Sequence, residues 1–263
     1  MNLDVPADNL RALIKARAST DGSDVVNWFA GDVHAWEPGG THTHLFGLEG
    51  YNIARANEVD GGFDLLTREA VFYLDPRTRE VLDRWTNPWT GEEVEVVHIW
   101  NDPVNMRFRE QMPWGPFHTP YFRMGDDVLF KMDVFLAYPS PLPRAEFPHN
   151  SQDDLYQAVE MFGFACARAD LDNDALASVP TRVSWTRIAP WLPWMRNADR
   201  SGQLVYHAEG NKPAGGYADL PAWIREHVEA TKPEYATAPT SWSEPNETSW
   251  TYFRKLAQAS ASS

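Results

Sequence analysis

The sequence predicts a mainly β chain whose antiparallel strands curl into a closed or nearly closed barrel. Three observations carry that prediction. One turn is written twice, as Asp75-Pro76-Arg77-Thr78-Arg79-Glu80 and Asn87-Pro88-Trp89-Thr90-Gly91-Glu92, each between runs rich in β-branched and aromatic residues. An Asx side chain bonds the backbone ahead of it, Pro presets φ at the first turn position, and Gly91 suits a left-handed closing residue. Arg79 stands where the second copy has glycine, so the first copy carries slight strain. About ten strand-like runs then follow one another without βαβ alternation. Finally, the long run from His42 to Asn57 contains Gly47 and Gly50, as a bend or bulge at a barrel corner requires.

Asn9 to Ala18 places Leu10, Leu13 and Ile14 on one helical face. Val25 to Trp36 reads as the first strand, stopped by Pro38-Gly39-Gly40, and His42 to Asn57 as the second, closed by Asp60-Gly61-Gly62. Phe63 to Leu74, Val81 to Thr86 and Val94 to Trp100 form a three-stranded meander through the two Asx-Pro turns. Met106 to Glu110 extends it beyond a turn at Asn101-Asp102-Pro103. Tyr121 to Met124 and Val128 to Tyr138 make a hairpin across Gly125-Asp126-Asp127, and the Pro-rich residues 139 to 150 form a loop over one end of the sheet. Leu155 to Ala169 fits a helix or a strand. The strand reading, which is favoured, puts Tyr156, Glu160, Phe162, Phe164 and Cys166 on one face. Thr181 to Ile188 and Gln203 to Glu209 are the last strands. Asp219 to Thr231 and Glu247 to Gln258 read as helices, the second with Ser243, Pro245 and Glu247 as starting signals. The barrel is calycin- or lipocalin-like. It forms one domain over residues 1 to 263, with 1 to 22 as an N-terminal helical extension and 219 to 263 as C-terminal helices packed on the barrel.

A net charge of −14 and a pI near 4.9 argue against nucleic acid and against an anionic membrane surface as partners. The acidity is most simply solubility. Cys166 is the one cysteine, in apolar company, so no intramolecular disulfide and no cysteine zinc site are expected. Met1 to Thr20 lacks an apolar signal core and no run reaches membrane-spanning length, which together predict a cytoplasmic protein. Homo-oligomerisation is left open. The 12 Trp, 9 Tyr and 13 Phe are more than an ordinary β core needs. They serve as core filler, as the lining of a pocket for a flat apolar ligand, or as both.

Several stretches together are similar to a known family. They are Phe46-Gly47-Leu48-Glu49-Gly50-Tyr51-Asn52-Ile53-Ala54-Arg55, the tandem turn, and Val97-His98-Ile99-Trp100-Asn101-Asp102-Pro103-Val104. Ser184-Trp185-Thr186-Arg187, Pro190-Trp191-Leu192-Pro193-Trp194-Met195 and Asn246-Glu247-Thr248-Ser249-Trp250 complete the set. The chain resembles the domain of unknown function family numbered 1838, from about residue 25 to about residue 255. The resemblance implies an association with bacterial breakdown of aromatic and terpenoid-like compounds and attributes no cofactor, by association alone.

His42-Thr43-His44 followed by Glu49 is the first half of a cupin metal site, because period-two spacing puts both imidazoles on one face. The second half, Pro-x-Gly-x2-His-x3-Asn, is not in the sequence, so no metal is expected and the plain reading is a polar strand start. Arg55 shares a strand face with Glu49 by alternation and reads as a salt bridge or as a group orienting substrate, with Asn52 on the other face. His98, on the apolar face of Val94-x-Val96-x-His98-x-Trp100, is either a satisfied core histidine or the best-placed general base. Glu160 sits among aromatics, where a carboxyl resists ionisation; it acts as an acid or pairs with Arg187 or Arg168. Trp185, Arg187, Trp191 and Trp194 read as a rim or lid, and of Tyr206 and His207 only one faces inward.

No serine elbow, phosphate loop or dinucleotide fingerprint occurs in the sequence. The expectation is a cofactor-independent lyase or isomerase acting by acid–base catalysis on a small aromatic or terpenoid-like molecule. Arg55, His98, Glu160, Arg187 and Tyr206 supply its polar groups, and Tyr73, Trp85, Trp100, Trp185, Trp191 and Trp194 its binding surface. A lipocalin-like carrier without catalysis is the first alternative. A cupin-like metalloenzyme using His42, His44 and Glu49 is the second.

Overall fold

The computed structural model describes residues 1–40, 42–243 and 245–261. The chain is mainly β, with 43 % of residues in strands and 19 % in helices. Its strands are β1 (Val25–Trp36), β2 (His42–Val59), β3 (Gly62–Leu74), β4 (Arg84–Thr86), β5 (Glu93–Glu95), β6 (Ile99–Arg109), β7 (Gln111–Met112), β8 (Gly115–Pro116), β9 (Tyr121–Met124), β10 (Asp127–Pro139), β11 (Leu155–Ala167), β12 (Arg182–Ala189) and β13 (Gln203–Asn211). The helices are α1 (Pro6–Arg17), α2 (Arg168–Leu171), α3 (Ala222–Thr231) and α4 (Ser249–Ala261). Nine strands make one antiparallel sheet in the order β6-β3-β2-β1-β13-β12-β11-β10-β9.

That sheet curls into a half-barrel that stays open, so the expected closure is corrected: β6 and β9 end the sheet without pairing to each other. The curl needs close strand approach, and glycine permits it. A Cβ on Gly50 would lie 2.3 Å from the Ala70 carbonyl oxygen, and one on Gly31 would lie 2.1 Å from that of His207. The seam is covered by other chain. Glu247 donates its backbone N–H to the Pro103 carbonyl on the free edge of β6 (2.8 Å), and Asn246 Oδ1 accepts from the Asn105 N–H (2.9 Å). Further along α4, Arg254 donates to the Pro141 carbonyl just beyond β10. Satisfying an edge with loop and helix removes the exposed ladder as pairing would.

The tandem turns have the predicted chemistry. Asp75 Oδ1 accepts the N–H groups of Arg77 and Thr78, and Asn87 Oδ1 those of Trp89 and Thr90. Arg79 and Gly91 hold the equivalent left-handed positions, at φ 64° and 72°. The meander they were expected to build forms only in part: one bridge, Leu74 to Val81, flanks the first turn, and the short β4–β5 hairpin flanks the second. After Leu74 the chain leaves the main sheet, β4 and β5 pair only with each other, and β6 returns beside β3. Asn101-Asp102-Pro103 is therefore strand and not turn; β6 runs through it, with a register shift opposite Thr67 and Glu69. The segment from Leu155 is a strand, and its period-two face is the inward one.

Both ends of the concave face are filled. At one end α1 buries Leu10, Leu13 and Ile14 against Leu65, Phe108, Phe130 and Phe164. At the other, Phe46, Tyr73, Trp185, Trp194 and Tyr206 pack with Trp250 from α4. On the convex face, α3 covers Tyr51, Phe72 and Trp100 with Ile224 and Val228. No described helix is long and apolar enough to cross a membrane.

Candidate functional site

Between the two plugs lies a cavity of about 470 Å³. Phe29, Met106, Met132, Phe162, Phe164 and Trp185 give it apolar walls. Two rows of polar side chains cross it, each set by strand register. Asn27, Asn52, Glu69 and Asn101 stand directly opposite one another on β1, β2, β3 and β6. Glu160 and Arg187 pair across β11 and β12, with Tyr206 next in register on β13. Alternation sends all of these inward, since adjacent strands keep registered residues on one face.

The Glu160 row is paired within itself, although the buried Arg187 Nε has no hydrogen-bond partner among the described residues. Arg187 Nη1 donates to Glu160 Oε1 at 2.9 Å and Nη2 to the Tyr156 hydroxyl at 2.6 Å. The guanidinium carbon also lies 5.8 Å from the centre of the Tyr206 ring. Burial works against the Arg187 charge, but Tyr156, Glu160 and Tyr206 more than offset it and its pKa rises. Burial raises Tyr156, and pushes Tyr206 up to about 12. This wall is fixed, charged and donor-rich.

The Glu69 row is open. Asn101 Nδ2 donates to Glu69 Oε1 at 3.3 Å, and among the described residues nothing donates to the other carboxyl oxygen. Burial, then the nearby Glu160 charge, pushes the Glu69 carboxyl up to about 7, while Arg187, Asn101 and Arg17 pull the other way. Asn27 and Asn101 each keep a buried amide oxygen without a partner. Arg17, at the last turn of α1, completes the lining, and burial lowers its pKa to about 10.

Of the residues singled out from sequence, Glu160, Arg187 and Trp185 line this cavity. Arg55 does not: it shares its strand with the inward Ala54 and Ala56, points to the convex side and pairs with Asp24 at 2.8 Å. His98 is also corrected. It precedes β6, its Nδ1 accepts the Tyr73 backbone N–H at 3.2 Å where the β3–β6 ladder has ended, and its ring packs on Phe72 and His227. Burial lowers it to about 4, so it is a neutral structural acceptor, not an inward base. Tyr206 faces inward but lies 2 % exposed behind Arg187, outside the cavity lining.

The aromatic expectations divide the same way. Tyr73, Trp85 and Trp194 pack around Phe46 in the end plug, and Trp191 Nε1 donates to the Arg200 carbonyl. Trp191 and Trp194 are 2 % and 4 % exposed, so they form no rim or lid. Trp100 stacks on His227 under α3. His44 bonds Asp32 and the Phe46 carbonyl and stacks on His34, with His42 beside them, while Glu49 accepts from Trp28 Nε1. Among the described residues no group of three or more His, Cys, Asp or Glu side chains is placed to hold a metal ion. Cys166 is buried, its thiol pushed up to about 12.

Arg17, Asn27, Asn52, Glu69 and Asn101 were missed from sequence. Their signal was available: Asn27 interrupts the inward alternation Asn27-x-Phe29, and Glu69 interrupts Leu65-x-Thr67-x-Glu69-x-Val71-x-Tyr73. No curated protein matches the chain. A family model described as "Protein of unknown function (DUF1838)" matches residues 22–257, and the chain belongs to that family.

Proposed function

We propose that the chain is a lyase or isomerase that binds a small aromatic or terpenoid-like molecule in this cavity and moves a proton on it with its own side chains, Glu69 first among them. The observation that carries the reading is Glu69: a carboxyl lining the cavity, one oxygen held by Asn101 and the other without a donor among the described residues. A carboxyl that titrates near 7 is available both as base and as acid at neutral pH. In an isomerisation its carboxylate takes a proton from a carbon beside a carbonyl and returns it to another carbon. In an elimination the proton goes on to the departing group. Arg17 favours the negative charge that develops on the substrate oxygen. Glu160, committed to Arg187, is a positioning group and not the acid.

The apolar majority of the lining also suits a carrier. The two readings differ in what Glu69 does. A panel of aromatic and monoterpenoid ketones and acids is screened by thermal shift, and each binder is incubated with the protein in deuterium oxide and followed by proton NMR. The enzyme reading expects site-specific exchange of solvent deuterium into a binder. Glu69→Gln should slow it by about a hundredfold or more while binding persists. Binders that never exchange, or exchange equally with Glu69→Gln, leave the carrier.

A further inference from the structure

Arg17 is a cavity cation that no carboxylate in the described structure pairs. Its Nη1 makes two contacts, with the Met106 sulfur at 3.1 Å and the Met132 sulfur at 3.7 Å. Thioethers are weak acceptors for a guanidinium that offers five donors. Among the described residues no carboxylate lies within ion-pair distance of it. Four arginines of the sheet are served differently: Arg187 has Glu160, Arg68 has Asp102, Arg109 has Asp64 and Arg55 has Asp24. An unpaired charge in such a place is costly, and a chain keeps one where a ligand supplies the counter-charge.

The surroundings point the same way. Asn52 faces the cavity directly opposite Asn27, and its amide has no partner among the described residues. Asn27 spends its own amide N–H on the Arg17 carbonyl at 2.9 Å, which ties the end of α1 to the sheet and holds Arg17 in place. Glu160 is ion-paired to Arg187 and Glu247 to Lys255, while Glu69, whose charge acts most on Arg17, makes no ion pair with it. The walls next to it, Met106, Met132 and Phe164, are apolar. We propose that the cavity is a carboxylate-binding site, in which Arg17, assisted by the Asn52 amide, receives the carboxylate of a monocarboxylic acid whose remaining body is apolar. This rests on the reading of the cavity as a small-molecule site and narrows its ligand class. Guanidinium and carboxylate match in a two-point fork, which fixes the orientation of the body toward Glu69 as well as adding affinity.

The test uses the full chain and a matched set of probes: trans-cinnamate, cyclohexanecarboxylate and 4-isopropylbenzoate, each beside its primary amide, titrated by calorimetry. The expected result is that at least one acid binds about tenfold or more tighter than its amide. Arg17→Met should abolish that preference while its melting temperature holds or rises, and Arg17→Lys should retain part of it. Equal affinity for acids and amides, failure of every acid to bind at millimolar concentration, or an undiminished preference in Arg17→Met overturns the proposal. If Arg17→Met fails to fold, full preference without any weakening in Arg17→Lys overturns it equally. Deuterium exchange separates the two claims: exchange without acid preference sinks this inference alone, and acid preference without exchange sinks the enzyme reading alone.

Discussion

The two polar walls of the cavity are built on one plan and end in opposite states. Both are rows of side chains set in register across neighbouring strands of one antiparallel sheet. In the Glu160 wall the carboxylate and the guanidinium pair with each other, and Arg187 is shared between a carboxylate and a phenol with its Nε alone left unpartnered. In the Glu69 wall one carboxyl meets three asparagines, and amide oxygens of Asn27 and Asn101 stay buried without partners. The first arrangement holds a half-barrel together across β11 and β12. The second costs stability and so is kept for what it can do to a ligand. The contrast says that an inward charge marks structure when it meets its counter-charge and function when it does not.

Breaking the closed wall should give the largest loss. Arg187→Met leaves the Glu160 carboxylate enclosed without a partner, and removal of one member of a buried pair costs about 3–5 kcal/mol. Urea denaturation of the variant should show that loss; a change under about 1 kcal/mol would mean the pair is no more than a surface bridge.

The open wall should respond with the opposite sign. Glu69 titrates near 7 in the fold, against 4.5 for an ordinary glutamate. Below pH 4.5 both folded and unfolded chains hold the proton. Between the two values only the folded chain does, and above 7 neither does. The stabilising preference for the proton is therefore present at low pH and lost as pH rises through 7, a fall of about 3 kcal/mol. Glu69→Gln cannot titrate. The difference in stability between variant and wild type should move in the variant's favour by that amount from pH 4.5 to 7.5. Parallel pH profiles of the two proteins would show that Glu69 is ordinary.

Tyr156→Phe tests how far the closed wall depends on its third member. The phenol accepts from Arg187 at 2.6 Å, and a hydrogen bond to a charged group contributes about 1.5–3 kcal/mol. A loss at the low end is expected, since Glu160 remains to hold the guanidinium. No change in the denaturation midpoint would reduce the wall to a pair.

How much of this was legible in the sequence follows the range of each signal. Turn chemistry is local, so Asp75, Arg79, Asn87 and Gly91 could be read directly, down to the left-handed arginine. What the turns connect is not local: nothing near Val81 or Val94 tells whether the strands they bound join the main sheet. Pro103 gave a local turn signal that pairing with β3 overrode. Period two along β11 places Glu160 inward, and of the two partners open to it from sequence, Arg187 and Arg168, the structure pairs it with Arg187. Alternation within one strand marks Asn27 and Glu69 singly as inward polar residues, but the row they form with Asn52 and Asn101 is scattered over seventy-odd positions and meets only through register. Arg17 escaped because α1 read as an extension, whereas it fills the concave face.

The smallest effect, and the finest test of the contrast, belongs to Asn52. Its amide lies between Asn27 and Glu69 in register and has no hydrogen-bond partner among the described residues. If the open wall is kept for a ligand, Asn52 contributes nothing to the empty fold. Asn52→Leu should then leave stability unchanged or raise it by up to about 1 kcal/mol, since a polar group without a partner gives way to an apolar one of similar size. Binding of an apolar carboxylate should weaken in the same variant, because one donor beside Arg17 is gone. A pairing of near-neutral denaturation with weakened binding is what an open wall predicts. A loss of stability above about 1 kcal/mol would place Asn52 among the structural groups, and the distinction between the two walls would no longer hold at that position.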